Sequence, residues 1–221
     1  MDLHDRCPAR TQRSELTLAA ILDTALEMAA ADGLESLTIG EVAKRLGLSK
    51  SGVFSRVGSR EALQRAVIEE YDRRFVQEVF VPSMREPRGL PRLDAIVRRW
   101  IVRATEVEAA KGCIYCAAAF EYDDREGPVR DLLLSGILSW RGVLKRTVAQ
   151  AVEAGHLRSD TDAEQLVFEI DGLFVALMRE ARLLRDPRAA QRAWSAYERI
   201  IASQRVDKSA AASRAARKAA A

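Results

Sequence analysis

From residue 15 onward the apolar positions recur every three or four residues, the spacing that puts them on one face of an α-helix. Leu18, Ile21, Leu22, Ala25, Leu26 and Ala29 form the first stripe, and Gly33 stands where a left-handed stop is expected. Thr38-Ile39-Gly40-Glu41 reads as a capping box, in which hydroxyl and carboxylate satisfy free N–H groups at a helix start. Ile39, Val42 and Leu46 then line a short second helix that Gly47 ends. Ser49 is the next expected N-cap, and a third helix is predicted over 50–56. A longer helix follows Ser59 through Leu63, Val67, Ile68, Tyr71 and Phe75, with Pro82 expected to end it.

Prolines and a glycine between Met84 and Pro91 mark a linker. Beyond it the same periodicity predicts helices over about 93–110, 113–122, 128–155 and 162–184, and one more after Asp186-Pro187. No segment alternates apolar and polar residues as a half-buried strand does. The predicted fold class is all-α, with about nine helices in two blocks: a three-helix head at 15–60 and a larger helical block at 61–206. The polar stretch 1–14 is expected to be a flexible arm. The stretch 207–221, almost entirely Ala, Ser, Lys and Arg, is expected to be a disordered tail.

Composition supports this class and narrows the function little. The chain is 48% hydrophobic, 30% charged and 6% aromatic, and Ala, Leu, Arg and Glu, all strong helix formers, dominate. No run of about 18 apolar residues is present to span a bilayer, and the first 15 residues lack the apolar core of a secretion signal. The cytoplasm is the expected location, without a membrane partner. A net charge of +3 names no partner, so the placement of charge matters more.

That placement is uneven. Between Lys44 and Arg60 stand five cations (Lys44, Arg45, Lys50, Arg56, Arg60) and no acid. A helix-turn-helix needs a small residue in its first helix, a glycine four positions on for the turn, and an apolar residue in the second helix. Ala43, Gly47 and Val53 meet these needs in order. The combination points to a DNA-facing surface.

The segment SLTIGEVAKRLGLSKSGVFSRVGSREAL resembles the DNA-binding segment of TetR-family transcriptional regulators, which are bacterial. The flanking helices and the large helical block behind them agree with that family's architecture. The resemblance implies a homodimeric regulator of palindromic operator DNA, more often a repressor, released by a small-molecule effector and using no cofactor. On it, Thr38, Lys44, Ser49 and Lys50 hold phosphates, while Ser51, Gly52, Ser55 and Arg56 face base edges. Three positions depart from the family's usual pattern: Phe54 replaces a common tyrosine, Val57 a common aromatic residue, and Arg56 a common histidine or tyrosine. Arg6, Arg10 and Arg13 are candidates for a minor-groove arm, beside the plainer reading of a terminus without that role.

The family also implies that the last two long helices pair with those of a second subunit. Leu166, Ile170, Leu173, Leu177, Trp194, Tyr197 and Ile201 are the candidate interface, in helices with more apolar surface than one stripe requires. Trp100, Tyr115, Cys116, Phe120, Glu121, Trp140, Phe168 and Phe174 are candidates to line the effector pocket. Glu169 and Asp171 lie close to the same apolar faces. Each of these also reads as ordinary core, cap or surface.

No phosphate-binding glycine loop, nucleophile elbow or metal-spaced histidine pair is present, so neither enzyme activity nor a metal site is expected. Cys113-Ile114-Tyr115-Cys116 is a lone CxxC outside any βαβ setting, and the only histidines are His4 and His156. Two readings stay open for it: small residues in a pocket wall, or a redox-sensing pair. A helical interaction adaptor without DNA binding is a further alternative for the whole chain.

Overall fold

The computed structural model describes residues 8–206, with side chains from Thr17 onward. Among the described residues the chain is helical, with no named strand. Helix α1 (Pro8–Asp32) starts seven residues before the expected Glu15, at a proline whose fixed φ suits a first helical position. The expected tail 207–221 and residues 1–7 of the expected arm lie outside the described residues.

α1 buries Ile21, Ala25, Met28 and Ala29. Gly33, at φ 90°, turns the chain out of it into a 3₁₀ turn (Leu34–Ser36). α2 (Ile39–Arg45) and α3 (Lys50–Val57) follow, then α4 (Arg60–Phe75). Each of the three has a hydroxyl at its N-cap. Thr38 accepts from the Glu41 N–H at 3.1 Å, Ser49 from Gly52 at 3.1 Å and Ser59 from Ala62 at 3.0 Å. Such caps stabilise a helix start by about 1 kcal/mol each. Gly47 takes φ 63°, and the Leu48 N–H closes back on the Ala43 carbonyl at 2.9 Å, so α2 ends where glycine permits it.

α4 does not stop at Pro82. It passes through a π-helical turn (Val76–Phe80) into a short extension (Val81–Ser83). Pro82 lies in the first turn of that extension, where its missing N–H has no obligatory partner. α5 (Leu90–Arg103) likewise runs into a π turn (Ala104–Glu108) and one further turn (Ala109–Lys111). The remaining helices are α6 (Ile114–Glu121), α7 (Pro128–Glu153), α8 (Ala163–Met178), which continues into a π turn (Arg179–Leu183), and α9 (Ala189–Gln204).

The chain forms two compact units. Of the described residues, one unit combines those up to Gln77 with Val107–Ile137, and the other combines Glu78–Glu106 with those from Leu138 onward. The expected boundary at residue 60 does not coincide with this division, because α4 and α6 both pack with the head.

The core of the second unit is built from Leu93, Ile96, Leu144, Leu166, Ile170 and Tyr197, all buried. Trp100 stacks on Phe174 with ring centroids 4.1 Å apart, and meets Trp140 edge-on at 5.3 Å. Inside this core the Tyr197 hydroxyl donates to Asp94 at 2.7 Å. No helix among the described residues is long and apolar enough to cross a membrane.

Candidate nucleic-acid interface

The turn at Gly47 presents α3 through a local arrangement that its own residues dictate. Val53 is its buried anchor, packed as Val42 and Ala43 of α2 are. With that face fixed, Ser49, Lys50, Ser51, Phe54, Ser55 and Arg56 are exposed, and Gly52 is half-buried. Thr38 and Lys44 are exposed beside them, the Lys44 side chain at 80%. All nine sequence-derived DNA candidates thus belong to one short stretch of the first unit.

Neighbouring groups decide which cations are available. Lys44 and Arg45 each sit 3.9 Å from Glu41, a distance at which exposed pairs contribute little. Arg56 folds back along its own helix and donates through Nη1 to the Gly52 carbonyl at 2.7 Å. Ser55 donates to the same carbonyl at 3.0 Å. Arg60 is committed to the scaffold: its Nε donates to the Leu37 carbonyl at 2.8 Å and its Nη2 to the Glu35 carbonyl at 2.5 Å. A Cβ on Gly52 meets only the Ser49 hydroxyl, at 2.9 Å, so this glycine leaves the outer face of α3 flat rather than admitting another helix. Phe54 is 55% exposed on that face, an apolar surface of the kind that contacts a thymine methyl.

A polar network that sequence reasoning missed joins the Leu34–Ser36 turn to α4 and to the end of α6. Glu35 accepts from the Tyr122 hydroxyl, from Arg60 at 3.0 Å and pairs with Arg125 at 3.0 Å. The buried Gln64 donates to the Leu34 carbonyl at 2.8 Å and to the Tyr122 hydroxyl at 3.3 Å. The Glu121 carboxylate accepts the Leu34 N–H at 2.9 Å. The one signal in the sequence was a glutamine on the apolar stripe of α4.

The hydrogen bond from Tyr122 holds the Glu35 carboxyl down at about 2, against the opposing effect of burial and with help from Arg60. Glu70 is held at about 2 in the same way, chiefly by the bond from Arg73. A carboxyl depressed in the folded state contributes stability above its unfolded value of 4.5, and loses it as pH falls toward 2. The melting temperature is therefore expected to drop across this window. Glu35→Gln should lower it at pH 7 and flatten part of the acid limb. Thermal melts between pH 7 and 2.5 check this, and parallel acid limbs for the two proteins would exclude Glu35 as a contributor.

The candidate pocket residues divide between the units. Trp100, Trp140 and Phe174 form the aromatic cluster of the second unit, while Phe168 on α8 is 63% exposed. Tyr115, Cys116, Phe120 and Glu121 all lie on α6 in the first unit, where Phe120 is 78% exposed and Tyr115 donates to Asp72 at 2.8 Å. The acids near apolar faces have protein partners: Glu121 with Leu34, Glu169 with Gln165 at 2.9 Å, Asp171 with Arg141 at 3.4 Å.

Of the candidate interface residues, Leu166, Ile170, Leu177, Tyr197 and Ile201 are buried inside their own unit, and Leu173 and Trp194 are half-buried. The exposed large apolar residues of α8 are instead Phe168 and Val175, seven positions apart and so on one face. Between α8 and α9 runs an open groove of about 520 Å³ bordered by Leu173, Ala176, Glu180, Arg192 and Ala196.

Comparison with known proteins gives two family matches. The family described as "Bacterial regulatory proteins, tetR family" matches residues 21–67, and "Tetracyclin repressor-like, C-terminal domain" matches 89–197. No curated protein matches. Among solved structures, a TetR transcriptional regulator from Chloroflexus aurantiacus is 21% identical, with a TM-score of 0.78 over 89% of this chain and 100% of that one. FadR from Bacillus subtilis, solved with stearoyl-CoA, is 12% identical with a TM-score of 0.68 over 83% and 97%. AibR, solved with isovaleryl coenzyme A and operator DNA, is 20% identical with a TM-score of 0.61 over 73% and 85%. At these identities the likeness is one of fold.

Proposed function

The chain belongs to the TetR family of DNA-binding transcriptional regulators, and from that premise we propose that it is a repressor, bound as a homodimer to a palindromic operator and released by a small molecule. The observation that carries the reading is the outer face of α2 and α3, where Lys44, Lys50 and Arg56 stand exposed with no acid between residues 44 and 60. Lys44, Lys50, Ser49 and Thr38 hold phosphates and set the register. Ser51, Ser55 and Arg56 face base edges, with Phe54 against thymine methyls. Gly52 allows the backbone of α3 to come close.

Two copies are needed for geometric reasons. Reading helices about 34–36 Å apart meet successive major-groove turns of an inverted repeat. Because most of the sequence-derived interface residues are buried within one copy, the pairing surface is assigned to the outer faces of α8 and α9, through Phe168, Val175, Leu173 and Trp194. The effector is assigned to the second unit, with an apolar part against Trp100, Trp140 and Phe174. Structural neighbours solved with acyl-CoA molecules support a ligand with an apolar portion.

Fluorescence anisotropy on a labelled duplex across a salt series tests the reading. Affinity is expected to fall steeply with salt, as counterion release requires, and selection from genomic fragments should return inverted repeats. A flat salt dependence would favour an adaptor that does not bind DNA.

A further inference from the structure

α6 begins with an arrangement that the regulatory reading does not use. Cys113 is its N-cap residue and Cys116 lies in its first turn, three positions on and therefore on the same side. Cys113 is 4% exposed, whereas Cys116 is half-buried. The Cys113 sulfur is 3.4 Å from the Tyr71 hydroxyl oxygen, and that hydroxyl donates its proton to Glu108 at 2.5 Å. The Tyr71 ring packs against Tyr115 with centroids 5.5 Å apart. No group of three or more His, Cys, Asp or Glu side chains among the described residues is placed to hold a metal ion, so the pair has no metal-site reading there.

The two thiols are chemically unlike. The neighbouring Cys113 thiol brings the pKa of the Cys116 thiol below its ordinary value, against the opposing effect of burial. The interaction with Cys116, together with burial and the nearby Glu108 charge, pushes Cys113 well up. Cys116 also sits at a helix start, where backbone N–H groups favour a thiolate. The more accessible sulfur is thus the nucleophile, and the buried one keeps its proton next to it. Residues three apart at a helix start fall within the Cα separation that a disulfide requires.

We propose that Cys113 and Cys116 are a reversible disulfide switch, closed by hydroperoxides and sensed by the DNA-reading head through Tyr71 and α4. The Cys116 thiolate attacks the outer oxygen of a hydroperoxide ROOH; the S–O bond forms, the O–O bond breaks, and with one proton ROH leaves. Cys116 is then a sulfenic acid. The Cys113 thiol attacks its sulfur, the S–S bond forms, and oxygen leaves as water with the Cys113 proton. Two thiols are oxidised by two electrons and one hydroperoxide is reduced to an alcohol and water. A dithiol reductant reverses the step.

The route to the head is short and lies within one unit. Closing the bridge removes the Cys113 S–H from beside Tyr71, and draws the first turn of α6 together. That helix is fastened to the head at Tyr115–Asp72, Glu121–Leu34 and Tyr122–Gln64. Asp72 and Tyr71 lie on α4, whose N-cap Ser59 stands two residues after the last residue of α3. The DNA consequence rests on the head being DNA-binding; the thiol chemistry does not.

The test uses full-length protein carrying Cys7→Ser, since Cys7 lies outside the described residues and would add a third thiol. After near-stoichiometric hydrogen peroxide, denatured intact mass should show the loss of two hydrogens and no thiol open to maleimide, both restored by dithiothreitol. Cys116→Ser should stop the reaction, and Cys113→Ser should leave a sulfenic acid that dimedone traps. Duplex affinity is expected to fall about tenfold on oxidation, within the usual range of coupling between sites, and to return on reduction. Thiols that stay titratable, or over-oxidation of Cys116 without a bridge, overturn the proposal, and the dithiothreitol cycle decides this even if a serine variant does not fold. A bridge that leaves the affinity of a DNA-binding protein unchanged overturns the switch. Reduced protein that binds no duplex overturns the DNA reading instead, while the mass measurement still judges the thiols.

Discussion

Gly112→Ala is expected to destabilise the head-containing unit by about 3–5 kcal/mol, from backbone strain and overpacking together. Gly112 has φ 104° and ψ 160°, a region that side-chain-bearing residues rarely adopt. A Cβ there falls 1.8 Å from the Ala30 carbonyl oxygen and 2.7 Å from its carbon. Both belong to the backbone of α1, so no side chain can swing aside, and either α1 or the start of α6 must move. Gly47 and Gly58 provide the comparison: each has positive φ, but nothing lies within 4 Å of the added carbon. Alanine at those two positions costs only the conformational part. Urea denaturation of Gly112→Ala beside Gly47→Ala separates the two terms. Equal, small losses for the two variants would refute the close approach of α1 at Gly112.

Replacing Lys44, Lys50 and Arg56 together by alanine should lower duplex affinity by about three orders of magnitude at moderate salt, with little effect on melting. The proposed homodimer would lose six cations, and its four phosphate-bound lysines would make the slope of log affinity against log salt shallower by about 3.6. The folded state is spared because all three residues are exposed, and Lys44 makes only a 3.9 Å ion pair. The same salt series on the variant measures the slope. A lower affinity with an unchanged slope would mean that the lysine side chains do not meet phosphates. Arg45 and Arg60 are left intact deliberately, since Arg60 holds the Leu37 and Glu35 carbonyls and its loss would confuse unfolding with lost binding.

The head was legible in the sequence because what specifies it is local. Thr38, Ser49 and Ser59 cap the residues that follow them, Gly47 supplies its own positive φ, and Val53 anchors a helix predicted at 50–56 and found at Lys50–Val57. Helix positions beyond residue 90 were legible for the same reason, although the π turns after α5 and α8 leave no mark in the periodicity.

The facing of α8 was not legible. Its sequence LVFEIDGLFVALM carries apolar residues on more than one side, so spacing alone does not separate buried Leu166, Ile170 and Leu177 from exposed Phe168 and Val175. Nor was the network around Glu35, because its partners Gln64 and Tyr122 lie 29 and 87 positions away. Local pattern reading has no access to pairings of that length, and α6, nearly all apolar, gave no periodic hint of which side meets α4.

Those long pairings bear on how the protein comes into being. A nascent chain that has emerged as far as Gln77 already contains α2 and α3, but not the Glu121 carboxylate that takes the Leu34 N–H or the Tyr122 hydroxyl that meets Glu35. At synthesis rates of about 5–20 residues per second, the head waits roughly 2–9 s for these partners. Contacts so distant along the chain also close more slowly than the helices themselves form. The Leu34–Glu35 turn therefore gains these partners only after the segment bearing the two cysteines has been made, so a truncated translation product would carry α2 and α3 without the network that backs them.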